Sequence, residues 1–201
     1  MNRIMAPMVV VLSGVLVACS SPAHKAAPAP VGQQSVAQLT TLALATSDLP
    51  FGWAVSPPAS VSSVTAPCAA LTTDGSMQLP AQAESDFQQS EDGPFVQEIL
   101  ASGAAQPVHD AWAAVQKEAI ACSAVTSGID TTRLSTMAFP SYGDESYALQ
   151  LAVSRSGVNY GGDVVVIRKG QVFVEVAVFG VDGVSASLVK QLVDTATKKA
   201  L

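Results

Sequence analysis

The stretch from 145 to 179 constrains the fold of this chain more than any other, because its apolar residues recur with a period of two. Tyr147, Leu149, Leu151 and Val153 alternate with Ala148, Gln150, Ala152 and Ser154, the pattern of a strand with one buried face. Val164-Val165-Val166-Ile167-Arg168 follows, and Lys169-Gly170 makes a tight reversal into a strand over 172–179. There Val172, Val174, Val176 and Val178 share one face, while Phe173, Glu175, Ala177 and Phe179 share the other. Both faces are apolar enough to be covered, with Glu175 as the exception. A carboxylate in that setting sits at the hairpin edge or faces a cleft, and in a cleft burial raises its proton affinity.

The remaining elements are read against this sheet. Segments 83–89 and 95–102 are predicted strands on either side of the turn Ser90-Glu91-Asp92-Gly93-Pro94. Val108, Trp112, Val115, Ala119 and Cys122 then recur at helical spacing, with Pro107 suited to the first turn. A strand is predicted over 133–139, a turn over 140–144, and a further turn at Asn159-Tyr160-Gly161-Gly162. The last helix is predicted over 185–199, with Leu188, Leu192 and Ala196 along one side and Lys198 and Lys199 complementing its C-terminal dipole. The order β-β-α-β-β-β-α, with hairpins in place of regular βαβ units, predicts a single α+β domain: an antiparallel β-sheet packed by two main helices.

The N-terminus carries a different message. One basic residue, Arg3, precedes an apolar run over 7–17 of about a dozen residues, too short to span a bilayer, which needs about twenty. Leu16-Val17-Ala18-Cys19 closes it and resembles the bacterial lipoprotein export signal at every position. That resemblance implies a signal peptide over 1–18, a diacylglyceryl thioether on Cys19 and a membrane attachment through the acyl chains. An ordinary signal peptide with a chance cysteine is the alternative. Residues 19–46 then read as the lipidated cysteine and a Pro- and Ala-rich tether, with a short helix over 35–45 where Val36, Leu39 and Ala43 fall near helical spacing. Residues 47–201 form the domain. His24 lies in the tether and is read as inert.

Charge and cysteines narrow the partners. With Arg3 the only charged residue of the leader, 16 acidic and nine basic residues remain, which disfavours nucleic acid and any membrane contact through a basic surface. Hydrophobic residues make up 49% and aromatics only 5%, so the core is built from Ala, Val and Leu. Once Cys19 is used, Cys68 and Cys122 are left, and an even number in an exported protein points to a disulfide. Closing that loop is worth about 4 kcal/mol on the chain-entropy model; a free Cys122 is the alternative. Zinc would need more ligands than His109 and these two cysteines supply.

Leu49-Pro50-Phe51-Gly52-Trp53, Cys68, the helix carrying Trp112 and ending at Cys122, Tyr142-Gly143-Asp144-Glu145, and the run 164–170 before a valine-rich strand form a set. Together they resemble actinobacterial exported lipoproteins with a PknH-like extracellular sensor domain, the domain found outside the membrane in certain receptor kinases. The resemblance implies an antiparallel sheet packed by two helices and a cleft for a small ligand. This chain departs from those receptors in having no kinase domain and cysteines for one bridge instead of two.

Enzyme signatures are missing: there is no Gly-x-Ser-x-Gly, no phosphate-cradling glycine loop, no dinucleotide fingerprint and no calcium-loop spacing. His109 reads as a capping or surface residue. No cofactor and no metal are expected. The expectation is a membrane-anchored extracytoplasmic domain that binds a small molecule or lipid in a cleft involving Trp53 and Glu175, between the sheet and the N-terminal segment. The alternatives are docking of an envelope protein and, more remotely, an unrecognised hydrolase.

Overall fold

The computed structural model describes residues 31–57, 79–121, 124–127, 130–155 and 157–201. It contains one sheet of eight antiparallel strands in the order β1-β2-β3-β8-β7-β6-β5-β4. In chain order these are α1 (Val36–Leu42), a 3₁₀ turn (Thr46–Asp48), β1 (Ala54–Val55), β2 (Ala81–Gln88), β3 (Phe95–Ser102) and α2 (Ala105–Ala121). Then come β4 (Ala124–Ser127), β5 (Asp130–Met137), β6 (Glu145–Arg155), β7 (Val158–Lys169), β8 (Val172–Val181) and α3 (Ala186–Ala200). The α+β class with an antiparallel sheet is what the sequence predicts. The predicted order has five strands where the sheet has eight: it lacks β1 and β4, two short edge strands with too few residues to show a period, and it counts three strands between α2 and α3 where five, β4 to β8, are present.

β8 occupies the centre because both of its faces are apolar. Directly paired residues share a face, so Val174 sits beside Leu100 of β3 and Ile167 of β7, while Phe173 sits beside Ala101 and Arg168. The valine face is covered by α1 and α3, whose Leu39, Val189, Leu192 and Val193 close over Val96, Leu100, Val165, Val174 and Val176. The opposite face is covered by α2, whose Val108 and Trp112 pack on Ile99, Ala101, Val166 and Phe173. Farther along, Ala119 of α2 reaches Leu134 and Leu149, so the helix crosses the sheet from β3 toward β5. The 3.6-residue stripe of α2 thus meets the odd-numbered residues of β8, and the stripe of α3 meets the even-numbered ones.

Two boundaries differ from the sequence expectation. The turn predicted at 159–162 is the interior of β7, and the reversal lies at Gly157, where φ is +81°. Gly161 and Gly162 are there because the backbone is approached closely. A Cβ on Gly161 would lie 3.0 Å from Gly183 Cα, and one on Gly162 would lie 2.7 Å from Phe179 Cα.

The second boundary is the tether. Residues 31–46 belong to the folded unit: Leu39 and Leu44 are core residues, and Val31 O accepts a hydrogen bond from Gln171 N (2.8 Å). Gln34 N donates to the buried Ser102 hydroxyl, which donates in turn to Gln171 O. The short apolar segment is recruited because α3 leaves Ala81, Phe87 and Val96 to be covered by something, and a capped helix does so.

Candidate functional site

Glu175 lies on the α2 face. The register places Glu84 of β2, Ile99 of β3, Glu175 of β8, Val166 of β7 and Tyr147 of β6 in one row across the sheet. The next row holds Asp86, Gln97, Ala177, Val164 and Leu149. Above the first row, the Trp112 ring lies 5.3 Å from Tyr147 and 5.7 Å from Phe173, centroid to centroid.

The polar groups of this face are short of partners. Glu175 is half-buried and makes no hydrogen bond or ion pair among the described residues; its surroundings push its carboxyl up to about 7. The Tyr147 hydroxyl and Trp112 Nε1 are buried and have no hydrogen-bond partner among the described residues. Burial raises the Tyr147 phenol, and the Glu175 charge adds to it. On the β2 side, Glu84 accepts from Gln97 Nε2 (2.7 Å), and the buried Asp86 is held at about 7 by burial and by the neighbouring Glu84. The face therefore offers a donor-only indole, a phenol, and carboxyls that hold a proton near neutral pH. Such a set complements a molecule carrying both acceptors and donors, although the indole nitrogen and the phenol oxygen are closed to solvent.

Trp53 is placed elsewhere. It is buried in the cluster of Leu39, Leu44, Phe87 and Val96, on the face covered by α1 and α3. The sheet separates it from Glu175, so the two cannot line one cleft, and Trp53 fills core between the N-terminal segment and β2. Among the described residues, two surface hollows of about 300 and 420 Å³ do not touch Trp53 or Glu175. The larger lies between the β2–β3 turn at Asp92, Gly93 and Pro94 and the start of α3 at Gly183 to Leu188.

A family search by sequence pattern, by curated protein and by solved structure returns no match to this chain. Its function is therefore to be read from its own residues.

One residue escaped the sequence reasoning. Glu98 is completely buried on the α1/α3 face, between Ser85 and Val176 in the register. Its Oε2 accepts from Leu44 N (2.5 Å), its Oε1 has no partner, and burial pushes it up to about 7. Beside it Lys199 of α3 donates to Ala43 O (2.6 Å) and to Asp48 Oδ2 (2.5 Å), and that lysine contact holds Asp48 below the usual carboxylate range. The signal was available: alternation in Phe95-Val96-Gln97-Glu98-Ile99-Leu100 puts Glu98 on the side of Val96 and Leu100.

His109 is exposed on α2, with its Nδ1 3.8 Å from Asp110. No group of three or more His, Cys, Asp or Glu residues that could hold a metal occurs among the described residues, and no helix among them is long and apolar enough to cross a membrane. Cys19, Cys68 and Cys122 lie outside the described residues.

Proposed function

We propose that this protein is a lipid-anchored extracytoplasmic domain that binds a small molecule, as the resemblance to PknH-like sensor domains implies, and that the site is the α2 face of its sheet, not the cleft near Trp53. Cys19 carries the anchor and the domain faces away from the cytoplasm. The observation that supports binding is the set of Glu175, Tyr147 OH and Trp112 Nε1, all without partners among the described residues. A buried polar group left unpaired costs about 1–3 kcal/mol, and native proteins keep few of them. A ligand that bonds to the indole and phenol and faces Glu175 removes that cost, and the aromatic rings around it supply contact area. Trp53 has no part in this site.

Native mass spectrometry on the full chain, extracted in detergent from its own host, tests the proposal. The expected result is a reproducible added mass that is lost on denaturation and diminished in Glu175→Gln and Tyr147→Phe. A folded protein of bare mass, in the parent and both variants alike, refutes it.

A second reading, docking of an envelope protein, is favoured by one observation. Phe51, between Pro50 and Gly52, is fully exposed, and Val55 of the edge strand β1 is exposed beside it. Cross-linking in intact cells separates the readings: a partner captured by the parent and lost in Phe51→Ser supports docking, and unchanged capture excludes this surface.

A further inference from the structure

On the α1/α3 face the packed core extends over β2, β3, β8, the Val165–Ile167 part of β7 and the near ends of β6 and β5, at Ala148 and Met137. Beyond α3, the ends of β5, β6 and β7 present a second and wholly different surface. The register places Thr131, Ser154 and Asn159 in one row and Arg133, Ala152 and Gly161 in the next, all on the same side of the sheet. Ala152 and Gly161 are small, and between their taller neighbours lies the hollow of about 300 Å³, lined by Thr131, Arg133, Ala152, Ser154 and Asn159 among others. That is the lower end of the range for small-molecule sites.

The chemistry of the lining is one-sided. Arg168, Lys190 and Lys199 each have a carboxylate partner, whereas Arg133 has none among the described residues and is exposed. The side chains of Thr131, Ser154 and Asn159 also make no hydrogen bond among the described residues, leaving two hydroxyls and a carboxamide free around the guanidinium. In a chain of net charge -6, an arginine in a hollow whose other lining residues, Val153 and Tyr160 included, are all uncharged is a local reversal of sign. A guanidinium offers paired N–H donors that match the two oxygens of a carboxylate, and hydroxyls and an amide match alcohols.

Two nearby acids limit the charge that fits. Asp163 is buried one row farther along the same face, where burial raises its proton affinity, and Asp182 N donates to Asn159 O, which sets the Asp182 backbone against a residue of the hollow. A single negative charge is tolerated there better than two.

We propose that this hollow is a binding site for a small polyhydroxylated carboxylate, of the size and kind of a sugar acid. Arg133 takes the carboxylate, while Thr131, Ser154 and Asn159 take the hydroxyls. The site stands at the Val158 end of β7. The N-terminal segment joins the fold at Gln171, just past the other end of this 12-residue strand, about 36 Å away at 3.3 Å per residue. The hollow thus stands at the opposite end of β7 from the point where Val31 meets the fold.

Isothermal titration of the full chain in detergent with glucuronate, glucose and inorganic phosphate tests the assignment, together with hydrogen exchange. Glucuronate is expected to bind in the millimolar range and to slow exchange at 131–133 and 152–160. Glucose and phosphate are expected to bind at least about tenfold more weakly, and Arg133→Gln to lose at least about tenfold for glucuronate with an unchanged melting temperature. Phosphate binding as tight as glucuronate, equal binding by Arg133→Gln, protection confined to the α2 face, or no heat with glucuronate would each overturn it. Lys198→Gln, which removes an exposed cation outside the hollow, serves as the control and leaves glucuronate binding intact.

Discussion

Replacing Glu98 by glutamine tests the central electrostatic feature of the fold. Glu98 is displaced from an ordinary 4.5 to about 7, so between those values the folded state holds a proton that the unfolded chain has released. Stability contributed by that proton is present in full below pH 4.5 and is lost as pH rises to about 7. The displacement of about 2.5 units at about 1.4 kcal/mol per unit makes the loss about 3 kcal/mol. A glutamine at this position would keep an oxygen to accept from Leu44 N and cannot ionise, so its contribution is flat with pH. Lys199 and Asp48, the charged groups facing this site from α3 and the 3₁₀ turn, stay paired across the window. Urea unfolding at pH 5.0 and 7.5 measures the effect. The parent is expected to be more stable at pH 5.0, with a further share from Glu175 and Asp86, which are displaced in the same direction. Glu98→Gln is expected to shrink the difference between the two pH values by about 2 kcal/mol, the share of the full loss that falls between pH 5.0 and 7.5, and to be the more stable protein at pH 7.5. An identical pH difference in parent and variant would refute the placement of Glu98 as a buried, proton-holding carboxyl.

Lys199→Ala removes the donor to Asp48 and Ala43 O and is expected to cost about 1–3 kcal/mol, with hydrogen exchange quickened over 36–49. Trp53→Ala is expected to cost about 3–5 kcal/mol by urea unfolding while leaving any added mass in native spectra unchanged, since Trp53 lies across the sheet from Glu175. Gly170→Ala, at φ +58° and against Val31 O, is expected to cost about 1–2 kcal/mol and to free residues 31–34 to exchange. Cys19→Ala is expected to move the protein from the detergent to the aqueous phase on cloud-point partition; retention in detergent would remove the lipid anchor from the proposal.

Local pattern was enough for the elements that bury one clear face. The period of two in β6 and β8, the stripe of α2 through Val108, Trp112 and Val115, and the stripe of α3 through Leu188, Leu192 and Ala196 depend only on neighbours in the chain, and each gives an element close to its predicted bounds. The same alternation already placed Glu175 with Phe173 and Ala177, away from the valines. The leader and Leu16-Val17-Ala18-Cys19 carry the expectation of an anchor through sequence alone.

What local pattern could not supply is which elements meet. Gly161 and Gly162 look like a turn until the β8–α3 connection and Phe179 are seen pressing on an extended strand. Residues 31–46 look like tether because their few apolar side chains form a core only against β2, β3 and α3. Trp53 and Glu175 seemed able to share a cleft, and the unpaired groups around Glu175, Glu98 and Arg133 come from β3, β5, β6, β7, β8 and α2. A strand's own sequence decides which residues share its face. The side of the sheet each helix covers, and hence which polar groups are left without partners, depends on contacts between segments tens of residues apart, and only the tertiary structure decided that.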